Sequence, residues 1–268
     1  MELINLHVHT WRCRHARGTA SEMAKAATAR GLRVLGFAEH APLAPELDGW
    51  HMPRSEFPAY VAEVEEARAR HSELEILLGL EVDYLPGVQG LVEEFCAQPC
   101  IDYVIGSVHY IDGWNFDSEE GRWEWDVRDR AAAYRRYYQL VRELARGGGF
   151  EIVGHLDLPK KFGYRMPPEV WDEVEQTLQV IRQEGLALEL NTAGLRVEVG
   201  EAYPETRILR RAAELGIPLT LGTDAHDPQH VASDLDWAIR QLADVGCREV
   251  VYFRKRSPVV VPLQRMLA

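Results

Sequence analysis

The sequence predicts an α/β chain whose parallel strands close into a barrel. Three observations carry that expectation. Strand-like and helix-like segments alternate from end to end, which implies a parallel sheet with crossover helices. The strands are short apolar runs such as Val34-Leu35-Gly36-Phe37, as expected where both faces are covered. Seven or eight such units in 268 residues suit closure better than an open sheet, and single-domain barrels often have this length.

The elements follow in order. Leu3–His9 is the first strand. Thr19–Arg30 has helical spacing, with Thr19 or Ser21 as N-cap and Gly31 just past its end. Val34–Ala38 is a buried strand ending at Glu39-His40. A Pro- and Trp-bearing loop, 41–58, leads to the helix Ala59–Arg70. Leu74–Val82 is the third strand, Val88–Cys96 a short helix and Ile101–Val108 the fourth strand. A second long loop, 113–125, precedes the helix Asp126–Arg146, which Gly147-Gly148-Gly149 stops. Phe150–His155 is the fifth strand, followed by a helical stretch over Pro167–Glu184. Leu186–Leu190 is the sixth strand, Glu205–Leu215 a helix, Ile217–Leu221 the seventh strand and Leu235–Val245 a helix. Glu249–Phe253 reads as a short final strand and Pro262–Met266 as a last helical turn. With no low-complexity linker and no shift in composition, 1–268 is expected to be one domain.

The bulk numbers narrow the function. A net charge of −12 argues against a nucleic-acid surface, which needs a basic stripe. It leaves room for a small phosphorylated molecule, because bound cations can supply local positive charge. Met-Glu-Leu-Ile is no secretory signal, and no apolar run approaches a membrane span, so a cytoplasmic protein is expected. None of Cys13, Cys96, Cys100 and Cys247 forms a C-x-x-C pair, so reduced thiols are the default, and Cys13 is read as a packing residue.

The chemistry collects at the strand ends. The first strand ends in His7-Val8-His9, whose alternation turns both imidazoles to one face. The second ends in His40, the third in Glu81, the fourth in His109, the fifth in His155, and the seventh in Asp224-Ala225-His226. With His15 in the first loop, seven of the ten histidines fall where barrel strands deliver active-site residues. Imidazoles suit zinc, iron and related ions, and carboxylates suit harder ions such as manganese. Glu81 can bridge two ions. Nine donors exceed the need of one or two closed sites and favour three divalent metal ions, drawn from Zn, Fe and Mn.

Leu6-His7-Val8-His9-Thr10, Ala38-Glu39-His40, Gly79-Leu80-Glu81-Val82, Gly106-Ser107-Val108-His109, Gly154-His155-Leu156-Asp157 and Gly222-Thr223-Asp224-Ala225-His226 together resemble the PHP (polymerase and histidinol phosphatase) family. The resemblance implies a distorted (β/α)7 TIM-like barrel with a trinuclear site at the C-terminal ends of the strands. By motif, the first ion takes His7, His9, Glu81 and Asp224. The second takes Glu81, His109 and His155, and the third His15, His40 and His226. All nine positions match.

Within the family the chain looks most like the stand-alone histidinol-phosphate phosphatases. Asp48-Gly49-Trp50-His51-Met52 looks like their substrate loop, which makes Trp50 and His51 substrate-binding candidates. Asn191-Thr192-Ala193-Gly194-Leu195-Arg196 also looks like theirs, with Arg196 expected to meet phosphate. A cation near Lys160 and Lys161 is implied as well, without choosing between them, and Ser107 joins the substrate-binding candidates. The implied reaction is hydrolysis of L-histidinol phosphate by a metal-bridging hydroxide held by Glu81, with Asp157 a candidate general acid and Glu39 orienting a ligand. The alternative is another phosphate ester: a nucleotide, an oligonucleotide end or a phosphotyrosine. The loop Asp112–Asp126 supports a cationic substrate. It holds Asp112, Asp117, Glu119, Glu120, Glu124 and Asp126 with Trp114, Trp123 and Trp125, an acidic and aromatic rim.

Overall fold

A computed structural model describes residues 2–42, 49–87 and 89–267. Asp48 of the expected substrate loop and Val88, the expected start of a helix, lie outside the described residues. Seven parallel strands form one sheet: β1 (Leu3–Val8), β2 (Leu32–His40), β3 (Glu75–Asp83), β4 (Tyr103–Ser107), β5 (Ile152–Val153), β6 (Ala187–Asn191) and β7 (Leu219–Gly222). They are hydrogen-bonded in sequence order. Helices α1 (Ala20–Ala29), α2 (Phe57–Arg70), α3 (Gln89–Cys96), α4 (Arg130–Gly147), α5 (Trp171–Gln183), α6 (Thr206–Glu214) and α7 (Leu235–Asp244) cover the outside.

The ring closes just past β7. Ala225 forms a parallel bridge with Val8. The His9 N–H donates to Ala225 O at 3.0 Å, and the Ala225 N–H to His7 O at 3.2 Å. The closing backbone is therefore that of the His-x-His and Asp-x-His stretches. Sterics inside the barrel explain two strand glycines. The buried Tyr103 ring crosses the interior, and its hydroxyl lies 2.6 Å from Leu6 O and 2.9 Å from Phe37 O. A Cβ on Gly36 would fall 2.2 Å from that hydroxyl, and one on Gly79 2.5 Å from the same ring.

Several expected bounds shift. Helix α4 starts at Arg130 rather than Asp126, because Asp129 accepts from the Ala132 N–H and caps it, while Arg122–Asp126 forms a separate 3-10 turn. Helix α2 starts earlier, at Phe57, since Pro58 is tolerated in a first turn. The ladder of β5 is only two residues long, although the Gly154 N–H still reaches Gly106 O. The expected single final strand is an antiparallel hairpin, Glu249–Arg254 with Ser257–Pro262. Its turn places Lys255 and Arg256 at φ 49° and 64°. A turn with two positive φ values normally announces itself by Asn-Gly, and Lys-Arg does not. The hairpin braces the end of the barrel opposite the strand C-termini. Arg254 donates to Glu75 at 2.8 Å, the Lys255 N–H to Asp102 at 3.0 Å and Arg256 to Glu151 at 2.7 Å, all at the starts of strands. Among the described residues, no helix is long and apolar enough to cross a membrane.

Candidate metal centre

At the C-terminal ends of the strands the expected ligands converge. Glu81 lies at the middle, 1% exposed. Its Oε2 is 3.1 Å from His40 Nδ1, 3.3 Å from His7 Nε2 and 3.5 Å from His9 Nε2. Its Oε1 is 2.9 Å from His155 Nε2 and 3.7 Å from His109 Nε2. Asp224 Oδ1 is 3.2 Å from His9 Nε2 and 3.7 Å from His7 Nε2. Donor atoms of His7, His9 and Asp224, of His7, Glu81 and His155, and of His15, His40 and His226 lie close enough to share an ion. His40 belongs to two groups, because with His9 and Glu81 it forms another.

The donor set fits metal. His7 Nε2, His9 Nε2, His40 Nδ1 and His226 Nε2 are buried with no hydrogen-bond partner, a state polar atoms avoid unless something else satisfies them. Several of the opposite ring nitrogens are tied to protein. His7 Nδ1 is 2.7 Å from Glu189 Oε1, and His109 Nδ1 is 2.5 Å from Asp83 Oδ1. His9 Nδ1 makes no such bond and approaches Glu39 Oε1 only to 3.5 Å, while the other Glu39 oxygen accepts from the Thr10 N–H at 2.9 Å. His15 Nδ1 is held by Cys13 O at 2.8 Å. Such partners fix ring orientation and aim the far nitrogen into the cluster. The cluster is thus able to bind metal.

Two motif glycines make room for this support. A Cβ on Gly222 would fall 1.8 Å from Glu189 Oε1, and one on Gly154 would fall 2.7 Å from Ser107 Oγ. The Ser107 hydroxyl donates to Glu81 Oε1 at 2.6 Å and is buried. It therefore fixes the central carboxylate rather than facing a ligand, a correction to its expected part in substrate binding.

The electrostatics divide the imidazoles. Burial lowers the pKa of His9, but Asp224, Glu39 and Glu81 outweigh it and hold the ring at about 9. Burial likewise opposes Asp83 and Glu81 at His109, which is held at about 10, and His7 is raised by Glu189, Asp224 and Glu81. His15, His40 and His226 are lowered by burial and by neighbouring imidazoles. Near neutral pH the first three rings are protonated in the metal-free protein, and the last three are neutral. Ligation requires a bare nitrogen. Loading the metal-free protein at pH 7 is therefore expected to release more than one proton per chain, with apparent affinity climbing as pH rises toward about 9 and 10. Calorimetric titration in buffers of different ionisation heat reads the count, and no net release at pH 7 would contradict this picture.

The cluster floors a cavity of about 1090 Å³. Arg196, Lys161 and Trp50 line it, as expected. So do Asn115, Asp117, Glu119 and Glu120, with Tyr110, Phe162 and Tyr203 among the apolar wall. Lys160 does not line it. Its amino group is buried against Asp157 at 2.8 Å, Glu201 at 3.1 Å and Ala202 O at 2.8 Å. Asp157 also departs from expectation. Its Oδ2 meets Lys160 and accepts from the Glu205 N–H at 2.9 Å, and it shapes the loop rather than the cavity wall. His51 is likewise not part of the lining, and it meets Asp83 at 2.8 Å. Of the six acids expected on the rim, Asp117, Glu119 and Glu120 line the cavity, whereas Asp112, Glu124 and Asp126 pair with Arg136, Arg128 and Tyr164, and the tryptophans are absent from the lining. Trp114 and Trp125 are buried, their indole N–H groups donating to Gly121 O and Phe116 O, and Trp123 is exposed away from the cavity.

Sequence reasoning missed Glu189, Asp83 and His230. His230 lines the cavity from the Pro228–His230 turn, with no spacing signal to mark it. Glu189 had one: a carboxylate inside Ala187-Leu188-Glu189-Leu190, a fully buried strand, must be paired.

A parallel barrel with this cluster beneath a deep cavity at its strand C-termini defines a metal-binding barrel with an enzyme-type site. The chain belongs to the PHP domain family, whose model matches residues 5–193. It is 44% identical to the "Probable histidinol-phosphatase" of Deinococcus radiodurans, over 96% of this chain and 99% of that one. It is 30% identical to the "Histidinol-phosphatase" of Bacillus subtilis, over 87% and 95% respectively. In fold it is similar to the histidinol phosphate phosphatase of Lactococcus lactis, whose crystal structure holds zinc, L-histidinol and phosphate. That match has a TM-score of 0.82 at 20% identity and covers 96% of this chain and 98% of that one.

Proposed function

We propose that this chain is a phosphatase that hydrolyses L-histidinol phosphate to L-histidinol and phosphate, using three divalent ions. The observation that carries the proposal is the gathering of nine candidate donors at one place, seven of them lining one cavity, in a chain 44% identical to a relative named for that activity. His7, His9, Glu81 and Asp224 would hold one ion, Glu81, His109 and His155 a second, and His15, His40 and His226 a third. Zinc, iron and manganese all suit such mixed ligation. When bound, the ions supply positive charge for phosphoryl oxygens and ionise water near neutral pH.

The protein's own groups do the rest. Glu81 spans the first two ligand sets, and Ser107 holds its Oε1 in place. Arg196 presents its guanidinium to the phosphate, and Lys161 adds a second cation on the same cavity. Glu119 and Glu120 receive the cationic amine and imidazole end, while Asp117 holds Lys161 in place at 3.2 Å. Trp50, Tyr110 and Phe162 shed water from the wall. A panel on metal-analysed protein tests the proposal, comparing L-histidinol phosphate with nucleotide and aryl phosphates. The expected kcat/KM for L-histidinol phosphate exceeds the others by at least ~100-fold, the discrimination that paired polar groups can supply. Equal or better turnover of a nucleotide or aryl phosphate would assign the site to another ester.

A further inference from the structure

Asp83 joins a candidate metal-binding imidazole to the segment that carries Trp50. It ends β3, two residues past Glu81, and is 1% exposed. Its Oδ1 lies 2.5 Å from Nδ1 of the ligand His109, and its Oδ2 lies 2.8 Å from Nε2 of His51. Trp50 stacks on that His51 ring at 4.1 Å between centroids, tilted by 25°. The Trp50 ring then stands edge-on to His40 at 4.5 Å and to His109 at 5.6 Å, as part of the cavity wall.

We propose that Asp83 is a positioning residue with two tasks: it sets the ring of His109 for metal, and through His51 it pins the Trp50 wall over the cluster. An ionised carboxylate only accepts hydrogen bonds. Both imidazoles must therefore present N–H groups to it. That demand turns the bare Nε2 of His109 toward Glu81, 3.7 Å from its Oε1. It also helps fix the segment that carries Trp50, which the Met52 N–H to His40 O bond at 3.3 Å ties to the barrel as well. An asparagine here accepts on one side and donates on the other. One ring must then change tautomer, and if that ring is His109, its ligating nitrogen becomes an N–H. The proposal rests on the metal cluster and the cavity, and it stands whichever ester is hydrolysed.

Three variants test it: Asp83→Asn, His51→Phe and the double variant. His51→Phe keeps an aromatic ring beneath Trp50 and removes the bond to Asp83. Metal affinity is measured by titration of stripped protein, and backbone exchange over residues 49–53 by deuterium uptake. Asp83→Asn is expected to weaken metal binding by about 10- to 100-fold, the usual cost of losing such a partner. His51→Phe is expected to leave metal affinity at the parent value. His51→Phe speeds exchange over 49–53 by about 5- to 10-fold, from one lost hydrogen bond. The double variant exchanges no faster than His51→Phe, because that change already breaks the link. His51→Gln, which restores an N–H donor, brings exchange back toward the parent and keeps the loop half testable should Asp83→Asn not fold. In that event Asp83→Glu, with its carboxylate displaced by one methylene, should still weaken metal binding. Unchanged exchange in His51→Phe, effects that multiply in the double variant, or full metal affinity in a folded Asp83 variant would overturn the proposal.

Discussion

Replacing Glu81 by glutamine is expected to strip at least two ions from the purified protein and to cut kcat/KM by at least about 1000-fold. The size of the effect follows from what surrounds this side chain. Five imidazoles lie within 3.7 Å of its two oxygens, and the Ser107 hydroxyl adds a sixth contact at 2.6 Å. Burial pushes a carboxyl up, yet His7 and His40 hold this one well below its usual range, so it is ionised in the cluster. Glutamine keeps the volume and removes the charge. One of its two positions must then be an amide N–H, which repels an ion and faces either His155 or the ring nitrogens of His7, His9 and His40. Elemental analysis and a circular dichroism spectrum on the same sample separate metal loss from unfolding. A folded Glu81→Gln protein with the parent's metal content would remove Glu81 from the centre of the site.

The clustering of these donors was legible because two regularities act together. Strand alternation pairs His7 with His9, and barrel topology gathers residues from separate strand ends onto one face. Neither regularity needs knowledge of side-chain packing. What failed to show was what packing decides. Lys160 and Lys161 are adjacent and alike in sequence, but the short 3-10 turn Leu158–Lys160 buries one amino group against Asp157 and Glu201 and leaves the other on the cavity. Trp114 and Trp125 look like rim residues in an acidic loop, yet each indole N–H finds a backbone carbonyl inside and the ring follows it. The supporting carboxylates were half visible. Asp83 shares a strand face with Glu81 by alternation, and Glu189 is a charge in an apolar strand, but only their measured contacts show which imidazole each one holds.

Arg196→Ala is expected to raise KM for the phosphate ester by about 10- to 100-fold, the range for one or two hydrogen bonds to a charged group, while the metal content stays at the parent value. Its guanidinium is held in place before any ligand arrives. It donates to Thr223 O, and to the carbonyl and hydroxyl oxygens of Thr192 at 3.3 and 3.2 Å. Thr223 precedes Asp224, so the anchor ties the arginine to the donor cluster without using a side-chain donor atom of that cluster. The side chain is still 20% exposed and lines the cavity, which leaves part of its fork free for an anion. Asp234 lies 4.0 Å from the guanidinium. Arg196→Lys should recover only part of the loss, because a lysine restores the charge but not the planar pair of donors. Inhibition by inorganic phosphate gives a measure that does not depend on the identity of the ester. Its inhibition constant should rise by the same factor as KM if Arg196 holds the phosphoryl group equally in the bound and activated states. A fall in kcat with KM unchanged would place the arginine on charge that develops during the reaction. Kinetics equal to the parent's, with phosphate inhibition also unchanged, would remove Arg196 from the phosphate site and leave Lys161 as the cavity's cation for that role.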